Sequence, residues 1–272
     1  MLMEMKSHCQ LLPPWEADFP ASLARGASGV PCDSVYSTEE FLAGRSAAGM
    51  QLGSWADRLE KPGSLTTALL HKLGLEPAEE TPSHRDSLVA AQAMLRSVVW
   101  CGSSVDVLAR SMIAVNSSGP DFDCSHSDPS LPFSIFFSIP PAHDDVSILR
   151  LCESILHETM HLQLTLCEES APLISVAGES RMAFSPWRGG PRLLRGVLHG
   201  AYVFYVVRHW YTCLLENPAS DTAVDLALRR IAGITDELSY LRTSDLEIGF
   251  TQSGRDLMGR IMMPELGPAV TC

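Results

Sequence analysis

The chain has no Cys-x-x-Cys pair, no apolar run of bilayer length and no surplus of positive charge. Its eight cysteines (Cys9, Cys32, Cys101, Cys124, Cys152, Cys167, Cys213, Cys272) are scattered, which argues against a zinc knuckle or a disulfide framework. Reduced thiols in a cytoplasmic protein are expected instead. With 20 Lys+Arg against 32 Asp+Glu, the net charge is −12, the wrong sign for phosphate backbones or anionic membrane surfaces. The longest apolar stretch, Val197–Val207, is short for a bilayer and contains His199. The first residues lack the basic-then-apolar signature of a secretory signal. What remains is ordinary globular material: 272 residues, 46% hydrophobic, enough for one large domain or two small ones.

Residues 1–85 are punctuated by Pro and Gly and read as an N-terminal segment packed on the core, with short helices at Thr38–Met50 and Leu65–Leu73. Residues 86–272 form the main domain. Helical spacing runs from Arg85 to Trp100, and β-branched and aromatic residues then mark strands in SMIAVNSSG and PFSIFFSIP. Phe133–Ile139, enclosed by prolines, is expected at a sheet edge. Asp144 and Asp145 precede a long apolar-periodic helix, Val146 to about Cys167. Gly190-Pro191 is expected to open a helix reaching Glu216. Further helices are expected from Ser220 to Arg242 and over Asp245–Met262, the last broken near Gly249 or Gly254. The fold class is mainly α (α+β), with a small β-sheet packed beside the first long helix.

That helix carries His157-Glu158-Thr159-Met160-His161, an HExxH pattern. Histidines four apart lie one turn apart and about 40° around the axis, so both can bind one ion such as Zn(II) or Fe(II). Glu158 points roughly 100° away, toward a bound water or substrate. The pattern fixes only three positions, but two adjacent histidines on an apolar helix need partners if they are not ligands.

The third ligand is less directly marked. The extended HExxHxxGxxH pattern fails, since Leu164 and Cys167 hold the glycine and third-histidine positions. Glu168 lies two turns beyond His161, too far along to share its metal. Glu179 stands in a loop-like AGESRMAF and is a reserve ligand. His199, flanked by Gly196 and Gly200 in RGVLHGAYVF, is the preferred one, its alternative being a core histidine hydrogen-bonded to a neighbouring element. If a helix starts at Pro191, Arg192 and His199 share one face, about 700° apart, with Arg195 between them. A cationic helix entrance near a metal suits a dicarboxylate such as 2-oxoglutarate, whereas composition alone makes Arg188 and Arg192 a solvated helix start.

Three blocks, HSDPSLPFSIFFSIPP, RLCESILHETMHLQLTLCEE and FSPWRGGPRLLRGVLHGAYVF, resemble in order and spacing the HExxH-type peptide β-hydroxylases of ribosomal-peptide biosynthesis. The resemblance covers about 122–207. It implies a helical HExxH-metalloprotein-like domain and a non-haem Fe(II) dioxygenase, with 2-oxoglutarate and O2 as cosubstrates. Such an enzyme hydroxylates the β-carbon of a residue in a ribosomal precursor peptide. His157, His161 and His199 would then hold iron, Arg188 and Arg192 the cosubstrate carboxylate, and Glu158 would orient a ligand, water or substrate. A three-histidine site departs from the usual two-histidine, one-carboxylate triad, which keeps Glu179 in reserve. The strand Phe133–Ile139 is a place where the peptide could add to the sheet. The alternatives are a zinc metallopeptidase with Glu158 as general base and a non-catalytic, metal-stabilised peptide-binding module. The sequence sets no oligomeric state.

Overall fold

The structure, a computed structural model, describes residues 53–117, 119, 123–131, 133–170, 172–242 and 248–262. The helix expected at Thr38–Met50 lies outside the described residues. The chain divides into two compact units, and the division falls inside one long helix between Gln163 and Leu164. The architecture is mainly helical with little sheet, as expected.

The described part of the first unit begins with a short helical turn, Trp55–Arg58, followed by α1 (Ser64–Leu73), α2 (Pro82–Ser97) and α3 (Val99–Leu108). Thr81 caps α2 by accepting a hydrogen bond from the His84 N–H, and Pro82 occupies the first turn, where its missing donor costs nothing. The single helix expected from Arg85 to Trp100 is therefore split at Val98, whose backbone is extended. Gly102 allows α3 to double back, since a Cβ there would stand 2.6 Å from the Arg96 side chain.

Asp106 ties these pieces together. Its carboxylate accepts from Trp55 Nε1 at 2.7 Å and from Arg96 at 2.9 and 3.1 Å, and it pairs with buried Arg58. Arg58 also donates to the Ala109 carbonyl at 2.8 Å, one of the carbonyls that α3 leaves unmatched at its end.

Three short strands follow: β1 (Ser111–Ala114), β2 (Ser125–His126) and β3 (Ser134–Phe137). Their order is β1-β3-β2, with β1 parallel and β2 antiparallel to β3. This corrects the expected edge position, because the segment from the PFSIFFSIP run is the central strand. The strand is also shorter than Phe133–Ile139, since Phe133 sits at φ 67, outside the β region. Pro140 falls beyond it, so no proline interrupts the ladder. Ile113, Val115, Leu131 and Phe136 pack with Leu70 of α1 in one buried cluster.

Helix α4 (Asp145–Ser170) contains the HExxH run. Asp144 caps it by accepting the Ser147 N–H at 2.8 Å, and its buried apolar side chains include Ile148, Leu151, Ile155 and Leu156. Cys152 approaches the Ala91 carbonyl of α2.

In the second unit, β4 (Met182–Ser185) and β5 (Gly190–Leu193) form an antiparallel hairpin before α5 (Leu194–Leu214). Here the sequence expectation is corrected again: Pro191 and Arg192 lie in a strand, and the helix begins only at Leu194. Gly189, at φ 63, serves the hairpin turn rather than a helix entrance. Helices α6 (Asp221–Arg242) and α7 (Gln252–Met262) pack on α5. Of the two positions expected for a break in the last segment, Gly249 precedes the helix at φ 109, and Gly254 lies within α7.

Among the described residues, Cys101, Cys124, Cys152 and Cys167 are free thiols. Cys213 departs from the expectation of reduced cysteines, being disulfide-bonded. No helix of the described residues is long and apolar enough to cross a membrane.

Candidate functional site

The helical repeat brings His157 and His161 together on α4, with ring centroids 4.8 Å apart and planes inclined at 66°. Both are half-buried on a helix whose other sides are largely packed in the core. An adjacent, partly accessible imidazole pair is the arrangement that lets two neutral nitrogens reach one ion.

Glu158 faces elsewhere, as its place one residue along the helix requires. It is 3% exposed, and its two oxygens accept hydrogen bonds from Ser125 and Ser127, each at 2.7 Å. His157 Nε2 is 3.9 Å from Glu158 Oε1. The sheet thus lies beside the helix and holds the carboxylate in place. Burial, and then the Glu158 charge, push the neighbouring Cys124 thiol upward in pKa. Sequence reasoning missed both serines. The signal was present in Ser125-His126-Ser127, where a two-residue spacing puts both hydroxyls on one face of an extended chain.

His199 lies on α5 and is largely enclosed. Its Nε2 is 3.0 Å from Oε2 of Glu168, whose side chain is only 8% exposed. The other Glu168 oxygen is buried at ion-pair distance from Arg195 Nε, 3.5 Å, without hydrogen-bond geometry. Arg195 also reaches Glu179 at 3.5 Å. Both members of that second pair are half exposed, so it contributes little. Glu168, set aside as a direct ligand by its spacing from His161, is the carboxylate that orients His199.

Arg188 sits in the hairpin turn and Arg192 on β5, not in the first turn of a helix, so the shared-face relation to His199 does not hold in the form expected. The two arginines are nonetheless neighbours. Burial, and then the Arg188 charge, lower the pKa of Arg192. Neither has a carboxylate partner among the described residues.

The glycines of the RGVLHG run permit close approach of the hairpin to α5. A Cβ at Gly196 would stand 2.6 Å from Arg192 Nε, and one at Gly200 would stand 2.2 Å from the Trp187 ring. Ser185 Oγ and Trp187 Nε1, both buried, have no hydrogen-bond partner among the described residues. With Arg192, they give this hairpin an excess of donors over acceptors.

Among the described residues, no group of three or more His, Cys, Asp or Glu side chains is gathered to hold a metal ion. The structure therefore presents a histidine pair on α4, a carboxylate-oriented histidine on α5 and an arginine pair on the hairpin. No protein-family model and no curated protein matches the chain.

Proposed function

We propose that the chain is an Fe(II)- and 2-oxoglutarate-dependent dioxygenase that hydroxylates the β-carbon of a residue in a ribosomally made precursor peptide. On this reading it adopts an HExxH-metalloprotein-like fold and works in the cytoplasm. The observation that carries it is the Arg188–Arg192 pair, two neighbouring arginines without a carboxylate partner among the described residues, in a chain of net charge −12. An anionic cosubstrate with a distal carboxylate supplies the missing counter-charge, in the bidentate manner that arginine favours. Ser185 and Trp187 add neutral donors to the same hairpin.

The iron ligands would be His157 and His161, whose ring centroids stand 4.8 Å apart on α4; His199 is proposed as the third on the sequence resemblance alone. The Glu168 carboxylate on His199 Nε2 is the partner that metal-bound histidines characteristically have, fixing the tautomer and raising the basicity of the ligating nitrogen. Bound iron with 2-oxoglutarate and O2 supplies the oxidising power that replaces a C–H bond of the peptide with C–OH. The protein's own work is to orient the imidazoles, hold the cosubstrate carboxylate with Arg192 and Arg188, and keep Glu158 fixed against Ser125 and Ser127.

That last feature argues against the peptidase alternative. A hydrolytic general base must present a carboxylate to a metal-bound water, whereas both oxygens of Glu158 are buried and hydrogen-bonded within the protein. The test is anaerobic loading with Fe(II), followed by O2 and mass spectrometry of a co-expressed precursor peptide. The expected result is one added oxygen per peptide, with succinate formed only when 2-oxoglutarate is present. Peptide cleavage by zinc-loaded protein without 2-oxoglutarate refutes the proposal. Arg192→Ala is expected to raise the KM for 2-oxoglutarate at least about tenfold while iron content holds.

A further inference from the structure

We infer that the outer edge of β4 is a docking strand for an extended peptide segment that alternates apolar and acidic residues. The inference rests on the peptide-substrate reading above and says how that substrate is held.

Among the described residues, each strand of the hairpin has one partner and therefore one outer edge. The Leu194 N–H donates to the Arg181 carbonyl at 2.8 Å, which sets the phase of the ladder. By antiparallel alternation, the backbone groups of Ala183 and Ser185 face β5, while those of Met182 and Phe184 face outward. On β5 the outward positions are Pro191 and Leu193. Pro191 has no N–H to offer, so that edge is blunted in the way natural sheets guard an edge. The β4 edge carries no such guard, and no backbone bond of the described residues satisfies its outward groups. The sheet of the first unit offers nothing equivalent at β3, which is paired on both sides.

Side chains give the edge its preferences. Met182 pairs with Leu193 and Phe184 with Pro191, so all four share one face of the hairpin. Met182 is 53% exposed, Leu193 50% and Phe184 42%, with the half-exposed Tyr240 ring 5.2 Å from Phe184. An added strand with apolar side chains at alternate positions extends this face.

Charge selects the intervening residues. The segment from Arg181 to Arg195 holds four arginines and no acidic residue; Arg195 pairs with Glu168 and Glu179, whereas Arg188 and Arg192 have no carboxylate partner among the described residues. Arg192 and Ala183 lie on the face opposite Phe184, where the alternate side chains of an added strand also point. Asp or Glu at those positions meets positive charge. A second copy of this chain would instead set its own Arg188 and Arg192 against these.

The experiment uses the full chain, without iron or 2-oxoglutarate, and fluorescence anisotropy with labelled peptides of about ten residues. One peptide alternates valine and glutamate, a second groups the same residues in two blocks, and a third replaces glutamate with lysine. The alternating acidic peptide is expected to bind at least about tenfold more tightly than the other two, and less tightly as salt is raised. Met182→Pro and Phe184→Pro each remove one outward N–H while leaving the bonds between β4 and β5. Each is expected to weaken binding by about tenfold with an unchanged circular dichroism spectrum. Phe184→Glu, which keeps the backbone donor and reverses the side-chain chemistry, is expected to do the same. Val176→Glu, at a 94% exposed position outside the hairpin, leaves binding unchanged.

Equal binding of the three peptides, or full binding by all three edge variants, overturns the inference. So does a dimer that Phe184→Pro converts to monomer, since a second copy then occupies the edge. Because binding is read without metal, peptide docking in a protein that fails to hydroxylate counts against the dioxygenase reading alone. Oxygen-dependent succinate formation with no docking counts against the edge alone.

Discussion

Replacing Glu168 isolates the role of His199. The bond from His199 Nε2 to Glu168 Oε2 is 3.0 Å long, with both side chains largely enclosed. Glu168→Gln preserves size and one acceptor oxygen but removes the charge. A hydrogen bond to a charged group contributes about 1.5–3 kcal/mol and a neutral one about 0.5–1.5 kcal/mol. The difference, about 1–1.5 kcal/mol, corresponds to about tenfold in affinity if the bond orients a ligand. Glu168→Ala removes the partner altogether and is expected to weaken iron binding toward about a hundredfold. Arg195→Ala, which removes a half-exposed ion pair, should change it by less than about twofold. The assay is anaerobic Fe(II) titration at matched thermal stability, followed by succinate formation. If both Glu168 variants bind iron as the wild type does, or lose stability without losing iron affinity, His199 is a core histidine with a satisfied hydrogen bond and the third-ligand assignment fails.

Three further outcomes test the reading of the fold. Asp106→Ala strands the buried Arg58 and leaves Trp55 Nε1 without its acceptor, so urea denaturation should show a loss of about 3–5 kcal/mol, and a loss under about 1 kcal/mol contradicts the network. Gly200→Ala drives a methyl group into the Trp187 ring and is expected to cost about 1–3 kcal/mol, whereas Gly233→Ala, exposed on α6 with nothing within 4 Å, should stabilise by about 0.5–1 kcal/mol. Equal signs at the two glycines in thermal melts would refute the close approach of the hairpin to α5. Burial drives the Cys101 and Cys152 thiols far above their ordinary pKa, and burial, then the Glu168 charge, push Cys167 up to about 12. Native iodoacetamide labelling at about pH 8 should therefore spare all three until the protein is unfolded, and prompt labelling of Cys152 would contradict its enclosure.

Much of the helical framework was legible because its cause is local. The apolar spacing of α4 and the acidic residues before it place a helix under the HExxH run whatever surrounds it, and Ser220-Asp221 marks the start of α6 as plainly. The strands were harder. Phe133–Ile139 has the composition of a strand and the flanking prolines of an edge, yet its position is decided by Ser111–Ala114 and Ser125–His126, distant segments that pair with it on both sides. The hairpin was missed because Gly190-Pro191 carries helix-start chemistry. Its strand conformation depends on the cross-strand pairing of Met182–Ser185, which no window around the proline contains.

The same division runs through the candidate site. Sequence by itself determined that His157 and His161 stand one turn apart on a single helix, because that relation needs only the helical repeat. It also determined that arginines without intervening acids crowd the stretch before His199. Tertiary structure decided where Glu158 goes, into the hydroxyls of Ser125 and Ser127, and that Glu168 faces His199 across 31 residues of chain. It turned the supposed helix entrance into a hairpin. A hydrogen bond or ladder partner is chosen by which surfaces packing brings together, and the sequence near either partner does not contain that information.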